Sequence, residues 1–170
     1  MLAPAVAFSD LVLAVHILAV VVGFGVVFAY PILLAAAARL DPAVTPWLLR
    51  TRQRVGRYLV NPGLLVVLLA GIYLASSEHH WSAFYVQWGL GAVIVIGAIE
   101  GSFVIPRAGA LAAVAEQDLA ATGVAAGGQR LTATWSPGYV ASQRRLSIAG
   151  WLTEAIVVVT VFLMATHAGT

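Results

Sequence analysis

The chain is predicted to be an all-α membrane protein, an up-down-up-down bundle of four transmembrane helices. Three observations predict this. Of its 170 residues, 61% are hydrophobic and 9% are charged, against about 25% charged in an ordinary soluble domain. The apolar residues run on continuously instead of alternating, which favours helices over a barrel. The positive side chains, all arginine, gather in two connecting regions, while the histidines lie near the other ends of the apolar runs.

A bilayer core ~30 Å thick needs about 20 apolar residues in a helix. Four runs satisfy this, at about 8–36, 58–76, 83–106 and 146–168, within a single membrane domain covering residues 1–170. Ser9 or Asp10 is placed to cap the first run,. No positive region precedes that run, so it reads as an uncleaved span. Pro31 is expected to bend the first span or mark its exit,. A linker at about 37–57 follows, with Asp41-Pro42 and Thr45-Pro46 restarting a helix,. From Trp47 to Val60, Arg50, Arg54 and Arg57 recur at helical spacing, an interfacial lead-in to the second span,. Asn61-Pro62-Gly63 is expected to interrupt that helix. Ser76-Ser77-Glu78 and His79-His80 make a short polar turn into the third span, which Pro106 ends or kinks. The second linker, about 107–145, starts Ala-rich and helical, breaks at Gly127-Gly128, and resumes at Ser136-Pro137. It is long enough to carry an interaction surface.

Arginine distribution orients the bundle. Arg39, Arg50, Arg52, Arg54 and Arg57 lie in the first linker region, and Arg107, Arg130, Arg144 and Arg145 in the second. By the positive-inside rule both connections are cytoplasmic and both termini are outside, and the Ala/Val/Arg-rich, lysine-free composition points to a bacterial inner membrane. Trp81 and Trp88 fit an outer aromatic belt, Trp47 and Trp151 an inner one,. The formal charge of +2 is explained by the anionic lipid surface and gives no reason to expect nucleic acid,. The absence of cysteine excludes disulfides and thiolate metal sites,. A 2+2 internal repeat is also readable: Gly23–Pro31 aligns with Ala98–Pro106, and Gln53-Arg54 with Gln143-Arg144,.

Three constellations are candidates for chemistry. His16 lies about seven residues into the first span, ~10 Å below the surface by helical rise, where a titratable group usually faces the bundle. Gly71, Gly91 and Thr160 fall at similar depth. Small residues around one deep imidazole leave room for a flat cofactor such as haem b. Alternatively the glycines serve close helix packing and His16 bonds a hydroxyl such as that of Thr160. The second candidate is an outer metal site drawn from Asp10, Glu78, His79, His80 and His167,. The third is the carboxylate pair Glu100 and Glu154 in the inner half, joined by Tyr30 and Asn61. It reads as a proton relay or a quinone head-group site, or as structural carboxylates neutralised by Arg57, Arg107 or Arg144. Gly97 and Gly101 form a close-packing motif around Glu100,.

The early His16, the Gly23-Phe24-Gly25 run ending near Pro31, and Asn61-Pro62-Gly63 leading to Gly71-Ile72-Tyr73-Leu74 resemble a group of small bacterial four-helix membrane proteins of unknown function. These are similar to the copper-resistance D-like superfamily, whose relatives include HemJ-type protoporphyrinogen oxidases. The resemblance covers most of the first two spans. It implies haem or porphyrin binding, with His16 at the matching position. HemJ-type enzymes also use a lysine in a later helix, and this chain has none. The sequence thus leads to a small membrane protein binding haem b or a related porphyrin through His16 and taking part in electron or proton transfer. The alternatives are a non-enzymatic accessory or scaffold subunit of a larger membrane complex, a homo-oligomer included, and a metal or proton-coupled transporter.

Overall fold

The computed structural model describes residues 7–77, 79–122 and 134–166. They form four long helical rods, Phe8–Leu40, Pro42–Ser77, Phe84–Ala121 and Pro137–Ala165, each long and apolar enough to cross a membrane. Among the described residues there is no strand. The first rod is helix α1 (Phe8–Leu40). The second holds α2 (Thr45–Val55), a π-turn (Gly56–Val60) and α3 (Asn61–Ser77). The third holds α4 (Phe84–Ile99), a π-turn (Glu100–Val104) and α5 (Ile105–Ala121). The fourth is α6 (Pro137–Ala165).

The rods outrun the spans expected from hydropathy. The second and third have 36 and 38 residues, about 55 Å at ~1.5 Å per residue. Most of both expected linkers is therefore helix, and the Arg-rich end stands as a folded extension of the bundle. Short polar devices start and stop these helices. The Asp10 carboxylate accepts from the Ala7 N–H at 3.0 Å. The Asp41 carboxylate accepts from the Ala43 N–H at 3.0 Å, reversing the chain between the first two rods. The Ser136 hydroxyl accepts from the Tyr139 N–H at the start of α6, and the Asp118 carboxylate accepts from the Ser136 N–H at 2.9 Å. Arg50 and Glu116 form a two-pronged ion pair between α2 and α5, at 2.9 and 2.7 Å.

Asn61-Pro62-Gly63 does not interrupt its helix, contrary to the sequence expectation, and Pro106 does not end its own, which leaves the kink as the alternative expected there. Each proline instead follows a π-turn that ends two residues before it. The residue preceding the proline reaches back five positions, Asn61 N–H to the Gly56 carbonyl and Ile105 N–H to the Glu100 carbonyl. Proline clashes with the carbonyl four residues back and cannot bond it. The wider turn relieves both problems, and π-turns are common at functional positions. Pro31 has no such relief and sits inside an unbroken α1. The first rod thus lacks the π-turn of the third, so the aligned repeat segments differ in backbone.

Helix α1 packs on α3, α4 on α6, and α2 on α5. Two apolar cores result. One, around Leu49, Val104, Ala108, Ala112 and Leu146, fills the Arg-rich end. The other, around Phe24, Val60, Leu64, Val93 and Ile96, fills the middle of the bundle. Ala108 and Ala112 are fully buried, and these small side chains let α5 lie close to α2. At Gly56 a Cβ would come within 2.6 Å of the Ile105 side chain, so the two rods approach closely beside the π-turns.

Candidate functional site

At the histidine end, His16 is buried in the bundle with its Nδ1 lacking a partner among the described residues. It lies over Gly71, where a Cβ would sit 3.5 Å from the imidazole Cε1. His16 and Gly71 are therefore brought together. Gly91 is not: it is exposed, and a Cβ there would meet nothing within 4 Å. Thr160 lines the same small space as His16, but its hydroxyl accepts from Trp88 Nε1 at 3.0 Å and donates to the Ile156 carbonyl at 2.7 Å.

The Met164 side chain faces that space too, with its Cε lying over Gly89. An imidazole and a thioether are ligand types that hold haem iron. The free space beside His16, however, is about 50 Å³, whereas pockets for ligands of this size run from about 300 Å³ upward. The donor types suit a haem, but the space as packed is smaller than one, so no chemistry here is routed through it. The histidine turn offers less. His79 and His80 are exposed; His79 adopts φ 59°, and Tyr85 Oη lies 3.2 Å from His80 Nδ1. Among the described residues no three His, Asp or Glu side chains are grouped to hold a metal. Glu78 and His167 lie outside the described residues.

The third constellation does assemble, around a residue that sequence reading passed over. Each rod contributes one buried polar side chain: Tyr30 from α1, Arg52 from α2, Glu100 from the second π-turn, and Glu154 from α6. The expected counter-charges are elsewhere. Arg57, Arg107 and Arg144 are exposed, and Arg107 lies over the Phe103 ring at 3.9 Å. Among the described residues the buried cation is Arg52, only 7% exposed. Its guanidinium carbon is 5.6 Å from the Tyr30 ring centroid, and electrostatic interaction links it to both Glu100 and Glu154. Neither carboxylate closes to within 4.0 Å of it. Glu100 Oε1, Glu154 Oε1 and the neighbouring Thr153 Oγ1 are buried without a partner among the described residues. Asn61 meets the same π-turn from the second rod, its Nδ2 being 3.9 Å from where a Gly101 Cβ would lie.

Such a cluster is costly to form. Two carboxylates and one guanidinium have left water, and their attraction repays this only if the remaining lone pairs are satisfied. Here Glu100 Oε1, Glu154 Oε1 and Thr153 Oγ1 are not satisfied by protein atoms among the described residues, and each such group calls for a reason. A cavity of about 400 Å³ adjoins it, between the far end of α1, the start of α2 and the first half of α6. Arg52 lines this cavity, together with Thr45, Gln143, Ser147 and the aromatic rings of Trp135, Tyr139 and Trp151. Thr45 Oγ1 and Gln143 Oε1 are likewise buried without partners among the described residues. Gly150 also lines the cavity, and a Cβ there would come 3.3 Å from Arg52 Nη2. Glu154 lies one helical turn beyond Gly150 on α6. Arg52 thus stands between the cavity and the carboxylates.

Arg52 was detectable in the sequence. Arg50, Arg54 and Arg57 share one helical face, and Arg52 falls roughly opposite that stripe,. Compared with family models, curated proteins and solved structures, the chain matches none.

Proposed function

We propose that this is a membrane protein that exchanges protons in the inner half of the bilayer through Glu100 and Glu154, as part of membrane electron or proton transfer. The observation that carries the reading is two buried carboxylates from different rods served, among the described residues, by one buried cation, Arg52. One guanidinium balances one carboxylate, so the other is left to hold or pass a proton. In this reading the Arg-rich end faces the cytoplasm of a bacterial inner membrane, following the positive-inside rule. Tyr30 and Asn61 steady the arrangement, one over the guanidinium and one against the π-turn that carries Glu100. Isotope-edited infrared spectroscopy in lipid tests this. A carboxylic-acid carbonyl band that exchanges with deuterium, and is lost in Glu100→Gln or Glu154→Gln, is the expected result. Two carboxylates that never protonate across the accessible pH range would overturn it.

A second reading, haem b or a related porphyrin held through His16, is favoured by the buried imidazole with an unpartnered nitrogen facing a glycine. It requires α4 or α6 to move away from the space that Met164 now fills. A Soret band in the purified protein that disappears in His16→Ala supports it, and a colourless protein after haem reconstitution rejects it.

A further inference from the structure

The cavity beside Arg52 has a chemistry of its own. Its polar lining includes the Arg52 guanidinium, which only donates, the Thr45 and Ser147 hydroxyls and the Gln143 amide, which donate or accept, and Trp135 and Trp151, whose indole N–H is a donor,. The unpartnered Gln143 Oε1 contributes an acceptor. One wall is flat and aromatic, since Trp135 and Tyr139 stack with centroids 4.3 Å apart and planes inclined by 21°. The opposite wall is aliphatic, from Pro31, Leu34 and Ala35 of α1. Trp151 is 63% exposed and stands at the rim, on the face where a membrane helix meets lipid. The volume suits a single ring with its substituents and the start of a tail.

Charge selects among amphiphiles. Behind Arg52 stand two carboxylates, so the guanidinium has no positive charge to spare for a phosphate. It does have N–H donors, and among the described residues none is engaged in a hydrogen bond. A neutral ring bearing carbonyl oxygens fits this pattern best. Its oxygens accept from Arg52, Ser147 or the Gln143 amide, its plane lies along the Trp135–Tyr139 stack, and its apolar tail leaves past Trp151 into the bilayer. We propose that this cavity is the head-group site of a quinone-class carrier that enters sideways from the lipid. Gln143 suits both redox forms of such a head, since its amide donates to a carbonyl and its Oε1 accepts from a ring hydroxyl. The inference rests on the proton-exchange reading above, because it names the carrier those carboxylates would serve.

The test uses the full chain in neutral phosphatidylcholine nanodiscs, titrated with a short-tailed benzoquinone and followed by quenching of tryptophan fluorescence. Saturable quenching is expected. Ser147→Phe, which fills the cavity, and Gln143→Leu, which removes its amide, should each weaken binding about tenfold or more. Ile94→Phe, on a lipid-facing position of α4, should leave it unchanged. Thermal unfolding run in parallel shows that the variants are folded. Quenching that rises linearly and equally in all four proteins reports partition into lipid and overturns the proposal. So does saturable binding that phosphatidylglycerol displaces, which would make the cavity a site for acidic lipid. Neither outcome touches the infrared band of Glu100 and Glu154, so the two readings fail separately.

Discussion

Arg52 and Tyr30 meet in the interior of the bundle, with the guanidinium carbon 5.6 Å from the centre of the phenol ring. The contact joins the second rod to the first where the third and fourth bring their carboxylates. Removing Arg52 leaves both of those buried carboxylates without their cation. Arg52→Met should therefore destabilise the protein by about 3–5 kcal/mol, the usual cost of breaking a buried charge arrangement from one side. Adding Glu100→Gln and Glu154→Gln to that variant should recover much of the loss. Reversible unfolding in mixed micelles measures it. An Arg52→Met protein as stable as the parent would show that the cluster is not held by this cation.

Pro31 should behave differently from Pro62 and Pro106. Pro62 and Pro106 each follow a π-turn, whereas Pro31 sits in plain α-helix. A proline inside a regular helix costs about 3 kcal/mol. Pro31→Ala should thus stabilise the protein clearly. Pro62→Ala and Pro106→Ala should change it by less than about 1 kcal/mol, because the wide turn has already absorbed the clash. Equal effects at all three positions, read by the same unfolding assay, would contradict this account.

Gly56 and Ile105 form a size-matched pair. A Cβ at Gly56 would lie 2.6 Å from Ile105 Cγ1, closer than two carbons can stand. Gly56→Ala should cost about 1–3 kcal/mol as an overpacked contact. Ile105→Ala alone should cost about 2–5 kcal/mol as a cavity. The double variant should cost less than the two added together, and strict additivity in a double-mutant cycle would show that the rods do not press together there.

The ion pair of Arg50 and Glu116 has good two-pronged geometry, yet the side chains are 50% and 46% exposed. Water and salt screen such a pair. Its coupling energy should be small and should fade as sodium chloride is raised. A coupling that is large and indifferent to salt would mean that this face is covered by something in the membrane.

Hydropathy made the four-rod architecture legible, because the bilayer imposes both length and composition on a spanning helix. Helix ends were harder to read. Arg39, Arg54, Glu116 and Arg144 break the apolar pattern without breaking the helices, since polar residues outside the apolar core cost a helix nothing. Pro62 misled, and Pro106 left two outcomes open, for a related reason: a proline announces that a standard turn is unavailable, and does not say whether the chain stops or widens. At the site, Glu100, Glu154, Tyr30 and Asn61 stood out as polar residues in apolar runs. Arg52 did not, because it was one arginine among five. Only its position off the Arg50–Arg54–Arg57 stripe separated it from the others. The cavity was illegible, because Thr45, Gln143, Ser147 and Trp135 come together only when α6 folds back along α1 and α2.

The length of the second and third rods has a practical consequence. A chain of 17.8 kDa whose described residues are nearly all helix is a poor target for particle alignment in electron microscopy. Its Arg50–Glu116 ridge lies on α2 and α5, beyond the most apolar stretches of their rods. That makes the ridge a rigid handle. An antibody fragment raised against it should clamp two rods at once in a nanodisc, supply the missing mass, and leave the proposed quinone pocket open for soaking.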